Sequence, residues 1–354
     1  MLNRDGVTLA DASYLRKDPA DSLYGVPFGC SQELCSGRQS GDKHPQKDDT
    51  IDLAYARWIF ARAVDWGKQL GEPAATLEKW SSIAGSLKQY PLTDQFAPPS
   101  PHGGPDRESW CADSNCTGFS EAINTDLNRS QIMWANYHWP IANFAPMHPT
   151  GQVSLGSDNQ TKVIARNTIW LVNNHSHWHG VNGICLSWPP AARMMDKHDP
   201  YPFGPAILLD TFEAALKATM QPNFWPSMGG GGLEQVGATQ AINELMLQSF
   251  EPADKGSPSD GTFLRFFPGW PIGETASFRS LRTQGGFLVD ASVDSSGDVS
   301  GVVVTSTIGG SCTFLGFSEH PPAVRSRGKE VSLVTLGQGL YKFATAAGQR
   351  YGIQ

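Results

Sequence analysis

DDTIDLAYARWIFARAVDWGKQLGEP, residues 48–73, decides how the first half of the chain is read. Leu53, Ala56, Phe60, Ala63, Val64 and Gly67 recur at helical spacing and fall on one stripe. Asp49 or Thr50 stands where a helix needs an N-cap. Tyr55, Trp58, Ile59 and Trp66 make a second apolar side, so the pattern predicts a helix buried on two faces. Gly71-Glu72-Pro73 stops it and starts another, with Leu77, Trp80, Ala84 and Leu87 on one face. The two helices form an αα-hairpin.

Two more pairs are expected further along. NQTKVIARNTIWLV (159–172) is followed, beyond a histidine-rich loop, by a shorter helix around 186–196. PAILLDTFEAALKATM (205–220) is followed by VGATQAINELMLQSF (236–250). Residues 92–130, rich in Pro, Gly, Ser and Asn, read as a long irregular insertion ahead of these two pairs. After residue 250 the period changes to two and β-branched residues take over, in TFLRFFPGW, GFLVDASVD, VSGVVVTSTI, SCTFLGF, EVSLVTL and LYKFATAAGQRYGI, with a turn at Ser295–Asp298. Helices first and strands second predict an α+β multidomain chain. Residues 1–250 would be a helical domain of about three antiparallel pairs in an open arc. Residues 251–354 would be an all-β sandwich, with Leu264, Phe266, Phe287, Val289, Val302 and Val304 turned inward.

Composition narrows the partners. Of 354 residues, 40% are hydrophobic and 17% charged, enough apolar material for a sizeable core. The formal charge of −7, with no Lys/Arg cluster to break it, argues against nucleic acid. No apolar run approaches the ~18 residues a membrane span needs, so no membrane partner is expected. The start, MLNRDGVTLADAS, does not read as a signal peptide. Yet six cysteines include the close pairs Cys30/Cys35 and Cys111/Cys116, each expected to bridge, and Asn-x-Ser/Thr acceptors begin at Asn115, Asn128, Asn159 and Asn174. These point to an extracellular or lysosome/vacuole-like location, and together with the opening residues to a chain that begins in mid-protein.

Two further features carry chemistry. The loop NNHSHWHGVNG (173–183) sets His175, His177 and His179 at alternate positions, but no Cys pair or HExxH spacing accompanies them, so no metal is expected. Trp178 suits the face of a sugar ring, while His177, His179 and Asn182 suit its hydroxyls. Glu33 lies in the turn-rich loop PFGCSQELCSG, and Glu234 in PSMGGGGLEQVGAT, a four-glycine loop running into a helix. Glycines let backbone approach a ligand closely, and a helix N-terminus favours an ionised carboxylate. Two carboxyl groups in unlike environments are what glycosidic hydrolysis requires.

GGGGLEQVGATQAINELMLQSF and the following TFLRFFPGWPIGETASFRSLRTQGGFLVDASV resemble the closing part of glycoside hydrolase family 95, the α-L-fucosidase-like group built on an (α/α)6 barrel. GCSQELC before the first long helix resembles the family's Ser-Pro-Glu loop, with Gln32 in place of proline. HWPIANFAPMHP (138–149) resembles a histidine-rich segment of the family. The resemblance is densest over 233–315. It implies that Glu33 is the general acid and that Glu234, near the family's Asp, serves the water side. His138 matches the first histidine of its segment, and Asn143 stands where the family has another. The asparagines that the family draws from the first half of its barrel have no counterpart, so the chain is expected to be the C-terminal part of a larger enzyme and to turn over little alone.

The function expected is therefore an inverting glycosidase acting on α-L-fucosides or related sugars in an oligosaccharide or glycoconjugate, without a cofactor. Its carboxyl groups would lie roughly 6.5–9.5 Å apart, in one cleft with His138, Asn143, His177, Trp178, His179, Asn182 and Trp188. The rival expectation is a non-catalytic, carbohydrate-binding remnant of such an enzyme.

Overall fold

The computed structural model describes residues 15–27, 46–94, 116–120, 122–124, 129–131, 141–176, 184–199, 204–223, 238–249 and 263–354. It is a mixed helix and strand chain whose largest sheet is six-stranded and antiparallel, and its described residues contain no closed barrel. They divide into two compact units. The first holds 1–152 and 159–187; the second holds 153–158, 188–227 and 231–354.

In the first unit, α1 (Thr50–Leu70) begins where Asp49 caps it, the carboxylate accepting from the Ile51 N–H at 2.9 Å. It ends at Gly71, whose φ of 77° is the left-handed region that glycine enters without strain. α2 (Ala74–Gly85) follows Pro73 and folds back on α1. A Cβ at Gly67 would sit 2.7 Å from a Leu77 methyl, so this glycine on the buried stripe is what lets the helices close. Leu53, Ile83 and Leu87 join Leu15 and Val26 in the core between them.

The second apolar side of α1 is not covered. Tyr55, Trp58, Ile59 and Trp66 are 38–55% exposed, so the expectation of two buried faces is corrected to one. Helical periodicity shows which faces are apolar, whereas the number of neighbours available to cover them is a tertiary matter.

Short strands complete this unit. β1 (Arg16–Lys17) pairs with β2 (Tyr24–Gly25), and β3 (Gln46–Lys47) forms a ladder with two later strands. The described parts of the expected insertion are not irregular: β4 (Leu92–Thr93) pairs with β5 (Gly118–Phe119), and β6 (Ala122–Asn124) lies between β3 and β7 (Arg129–Gln131). After a short α3 (Ile141–Phe144) comes α4 (Asn159–Ser176), which docks on β5: Thr168 Oγ1 accepts from the Phe119 N–H at 2.7 Å.

The second unit joins helices to sheets. α5 (Ile184–Arg193), counted here from Trp188 onward, contacts both later helices, α6 (Pro205–Thr219) and α7 (Ala238–Met246). Trp188 meets Phe212 of α6 edge-on at 5.1 Å, and Arg193 pairs with Glu244 of α7. The described side-chain links join α5 to each of the 205–220 and 236–250 segments, which were expected to pair with each other. α7 also stops short of 250, because Leu247–Gln248 turns into β8 and pairs with β9 (Arg265–Phe266).

Beyond β9 run β10 (Ala276–Thr283), β11 (Phe287–Val293), β12 (Val299–Ser306), β13 (Gly310–Leu315), β14 (Val324–Ser326), β15 (Lys329–Glu330), β16 (Val334–Gly337), β17 (Leu340–Thr345) and β18 (Arg350–Ile353). The six-stranded sheet has the order β10-β11-β12-β18-β14-β15, and a three-stranded sheet the order β13-β17-β16. One core joins them, with Val289, Val302, Val304 and Tyr351 from the first sheet and Cys312, Phe314 and Phe343 from the second. All six residues expected to turn inward are buried, none more than 5% exposed.

Candidate functional site

Seven of the nine residues that the sequence nominates lie outside the described residues: Glu33, Glu234, His138, His177, Trp178, His179 and Asn182. So do Cys30, Cys35 and Cys111. What the structure describes is the frame on either side of the two key loops. α4 leads into the histidine loop and α5 leaves it, while α7 follows the glycine-rich loop that carries Glu234.

The remaining two nominated residues sit in separate units. Asn143 belongs to the first, is 4% exposed, and its Nδ2 donates to the Phe119 carbonyl at 2.7 Å. That bond fastens α3 to the strand on which α4 also docks. Trp188 belongs to the second and is 1% exposed against Phe212. A ring so enclosed presents no face to a sugar in this conformation, and its contact anchors the exit of the histidine loop instead.

The helix that follows the glycine-rich loop in the chain is held by a polar cluster that sequence reasoning did not single out. Arg193 and Glu244 are both buried and meet through two bonds, Nε to Oε2 at 3.1 Å and Nη2 to Oε1 at 2.5 Å. Gln248 adds two more, its Nε2 donating to the Arg193 carbonyl and to the Glu244 carbonyl, each at 3.1 Å. The signal was present in INELMLQSF, where a lone carboxylate and a glutamine interrupt apolar helical text. A charged group placed there must find a cation when the helix packs. Both Glu244 oxygens are taken up by the guanidinium, so this carboxylate serves position rather than proton transfer. It fixes α7, and with it the anchor point of the loop bearing Glu234.

A second charged group lies in the first unit. Lys88 Nζ is 2.6 Å from Asp18, 3.5 Å from Asp48 and 3.6 Å from Asp21. Asp48 also accepts from the Val26 N–H at 2.9 Å, so its carboxylate ties the segment before α1 to that after β2. Arg57 completes the arrangement: its Nη2 donates to the Lys88 carbonyl and its guanidinium lies 4.4 Å above the Tyr90 ring. The Tyr90 hydroxyl is raised above its ordinary pKa by burial, with Arg57 working against the shift. The Lys88 ammonium and the three carboxylates around it compensate one another, which suits a clamp better than a ligand site.

Among the described residues no group of three or more His, Cys, Asp or Glu could hold a metal ion, and no helix is long and apolar enough to cross a membrane. Cys116 is disulfide-bonded. No family model matches the chain, and no curated protein matches it.

Proposed function

We propose that this chain is a glycosidase module of the inverting type, acting on α-L-fucosides or related sugars. Its helices would be a partial (α/α)6 barrel of about three pairs, and its two sheets the accompanying β-sandwich. Glu33 would protonate the leaving oxygen, and Glu234 would stay ionised at a helix entrance and activate the attacking water. No cofactor takes part in this chemistry. The observation that carries the reading is the continuous run 233–315, where a glycine-rich carboxylate loop, helix and strand text follow one another in the order the fucosidase-like family shows. Within that run, Phe266, Phe287 and Val289 are core residues and Glu244 is the buried partner of Arg193, so several of its residues serve packing.

The test is a comparison of leaving groups, using the gene product on aryl α-L-fucosides and on unactivated fucosyl oligosaccharides. Glu33→Gln should cost far more on the unactivated sugar, because a good leaving group needs little protonation in the transition state. Glu234→Gln should impair both about equally. Equal losses on both substrates for Glu33→Gln would remove that residue from the acid role.

Asn143 favours a second reading, a carbohydrate-binding remnant without turnover. It stands where the related family has a histidine, and its amide is committed to Phe119. Calorimetric binding of fucosyl oligosaccharide with no product formed would select this reading over the first.

A further inference from the structure

We infer that Asn159 is an N-glycosylation site, occupied by an oligosaccharide that projects from the start of α4. Two independent observations carry this.

The first is local. Asn159-Gln160-Thr161 is an acceptor tripeptide, with no proline at its centre. Asn159 is the first residue of α4, and it, Asp158 and Gln160 are all exposed. Its side-chain amide carries no hydrogen bond, so substitution on Nδ2 forfeits no native contact. The buried side of the helix begins a turn later, at Ile164, Ala165, Asn167 and Thr168. A glycan at the first position therefore leaves the packed face untouched.

The second observation concerns the compartment. Cys116 is disulfide-bonded, and the segment it leads into, through Thr117 to β5, is fastened to that same helix. Asn167 Nδ2 donates to the Thr117 carbonyl at 3.0 Å, and Thr168 Oγ1 accepts from the Phe119 N–H at 2.7 Å. A disulfide that belongs to the fold is made and kept in an oxidising lumen, and that is where N-glycans are added. Of the other acceptors, Asn115 and Asn128 lie outside the described residues, and the side chain of Asn174 is not described.

In the transfer, Nδ2 of Asn159 attacks the anomeric carbon of an oligosaccharide carried on a lipid diphosphate. The C–N bond forms, the bond from carbon to diphosphate oxygen breaks, the lipid diphosphate leaves, and one proton is lost from the amide. No oxidant or reductant is needed. The proposal is independent of the glycosidase reading and can fail without it.

The experiment routes the full chain through the secretory pathway of a yeast, using an added leader. Protein from the whole culture is treated with an amide-cleaving glycosidase in 18O-water, and its peptides are mapped. Labelled aspartate at position 159 is the expected result, together with one glycan's loss of mass in Asn159→Gln. Thr161→Ser should keep the modification and Thr161→Ala should lose it. Asn159 is exposed and uncontacted, so the glutamine variant should fold as the parent does, and oxidised Cys116 serves as the folding check. Unlabelled asparagine at 159 in protein whose Cys116 is oxidised would overturn the inference, as would a product in which Cys116 stays reduced and position 159 is unmodified.

Discussion

Asp18 and Lys88 form a contact whose two partners both titrate away from their ordinary values. The Lys88 hydrogen bond, followed by that from the Ala20 N–H, holds the Asp18 carboxyl below its ordinary pKa against the opposing effect of burial. A carboxylate lowered in the folded state adds stability that is full above its unfolded value near 3.9 and is lost as pH falls through the folded value. Partial burial pulls the Lys88 ammonium down, but Asp18, Asp48 and Asp21 outweigh it and leave its pKa raised. Its share of stability is full below the unfolded value of about 10.4 and is lost as pH rises through the folded one. Thermal melts across pH should therefore show a shallower acid limb in Asp18→Asn than in the parent, and identical limbs would remove Asp18 from this linkage. Cys312 is the opposite kind of residue. Burial pushes its thiol up to about 12, so at pH 8 the thiolate that reacts with alkylating reagents is nearly absent. Mass mapping should find the Cys312 peptide unalkylated in the native protein and alkylated after denaturation.

Among the elements, α1 shows how far one sequence pattern reaches. Its cap at Asp49, its stop at Gly71 and the stripe through Leu53 all follow from local chemistry. Leu53 is fully buried between α1 and α2, so Leu53→Ala should cost about 2–5 kcal/mol in denaturant unfolding. On the other face, Trp58 and Trp66 meet edge-on at 6.5 Å while remaining partly exposed. Trp58→Gln or Trp66→Gln should cost no more than about 1.5 kcal/mol, the scale of one aromatic pair. A larger loss would mean that this face is covered in solution. β10 illustrates the reverse case, a strand that the sequence did not announce. ASFRSLRT offers Ala276, Phe278, Leu281 and Thr283 to an apolar face, and a bulge between Phe278 and Leu281, with Ser280 at a φ of 55°, breaks the alternation. As an edge strand it needs few apolar residues, so period-two reading passes over it.

At the scale of the whole molecule, a buried ion pair between two helices of the second unit is continued into its strands by backbone and side-chain bonds. Arg193 and Glu244 link α5 to α7, α7 runs directly into β8, and Phe267 N donates to the Met246 carbonyl at 2.6 Å. Lys197 extends the connection, its Nζ donating to the Gly297 carbonyl at 2.7 Å in the turn between β11 and β12. Removing either partner leaves a buried charge without compensation. Arg193→Met or Glu244→Leu should each cost about 3–5 kcal/mol, whereas the double variant should recover most of that loss. The helix that Glu244 lies on runs directly into β8, so the loss should register in sheet signals as well as helical ones. Additive losses in the double variant would show that the two residues act separately.

Local and tertiary information divide along a physical line. The sequence by itself determined what nearest neighbours along the chain control: the αα-hairpin and its caps, the change of period after residue 250, and the Ser295–Asp298 turn. In that turn Asp294 Oδ1 accepts from the Ser296 and Asp298 N–H groups, and Gly297 supplies a φ of 88°. The sequence also marked the six inward residues of the sheets, because alternation along a strand fixes which face a side chain takes. Only the tertiary structure decided which elements meet. LYKFATAAGQRYGI is a single apolar run in the text, yet β17 joins the three-stranded sheet and β18 the six-stranded one, with Gly348 and the Tyr351 hydroxyl shaping the bend between them. Trp188, as an aromatic of the expected cleft, and Asn143, by its place in the resembled segment, read as candidate sugar contacts, and packing engaged both. An aromatic ring or an amide has the same chemistry whether it faces a ligand or a neighbouring helix, and only the long-range contacts of the fold determine which of the two it meets.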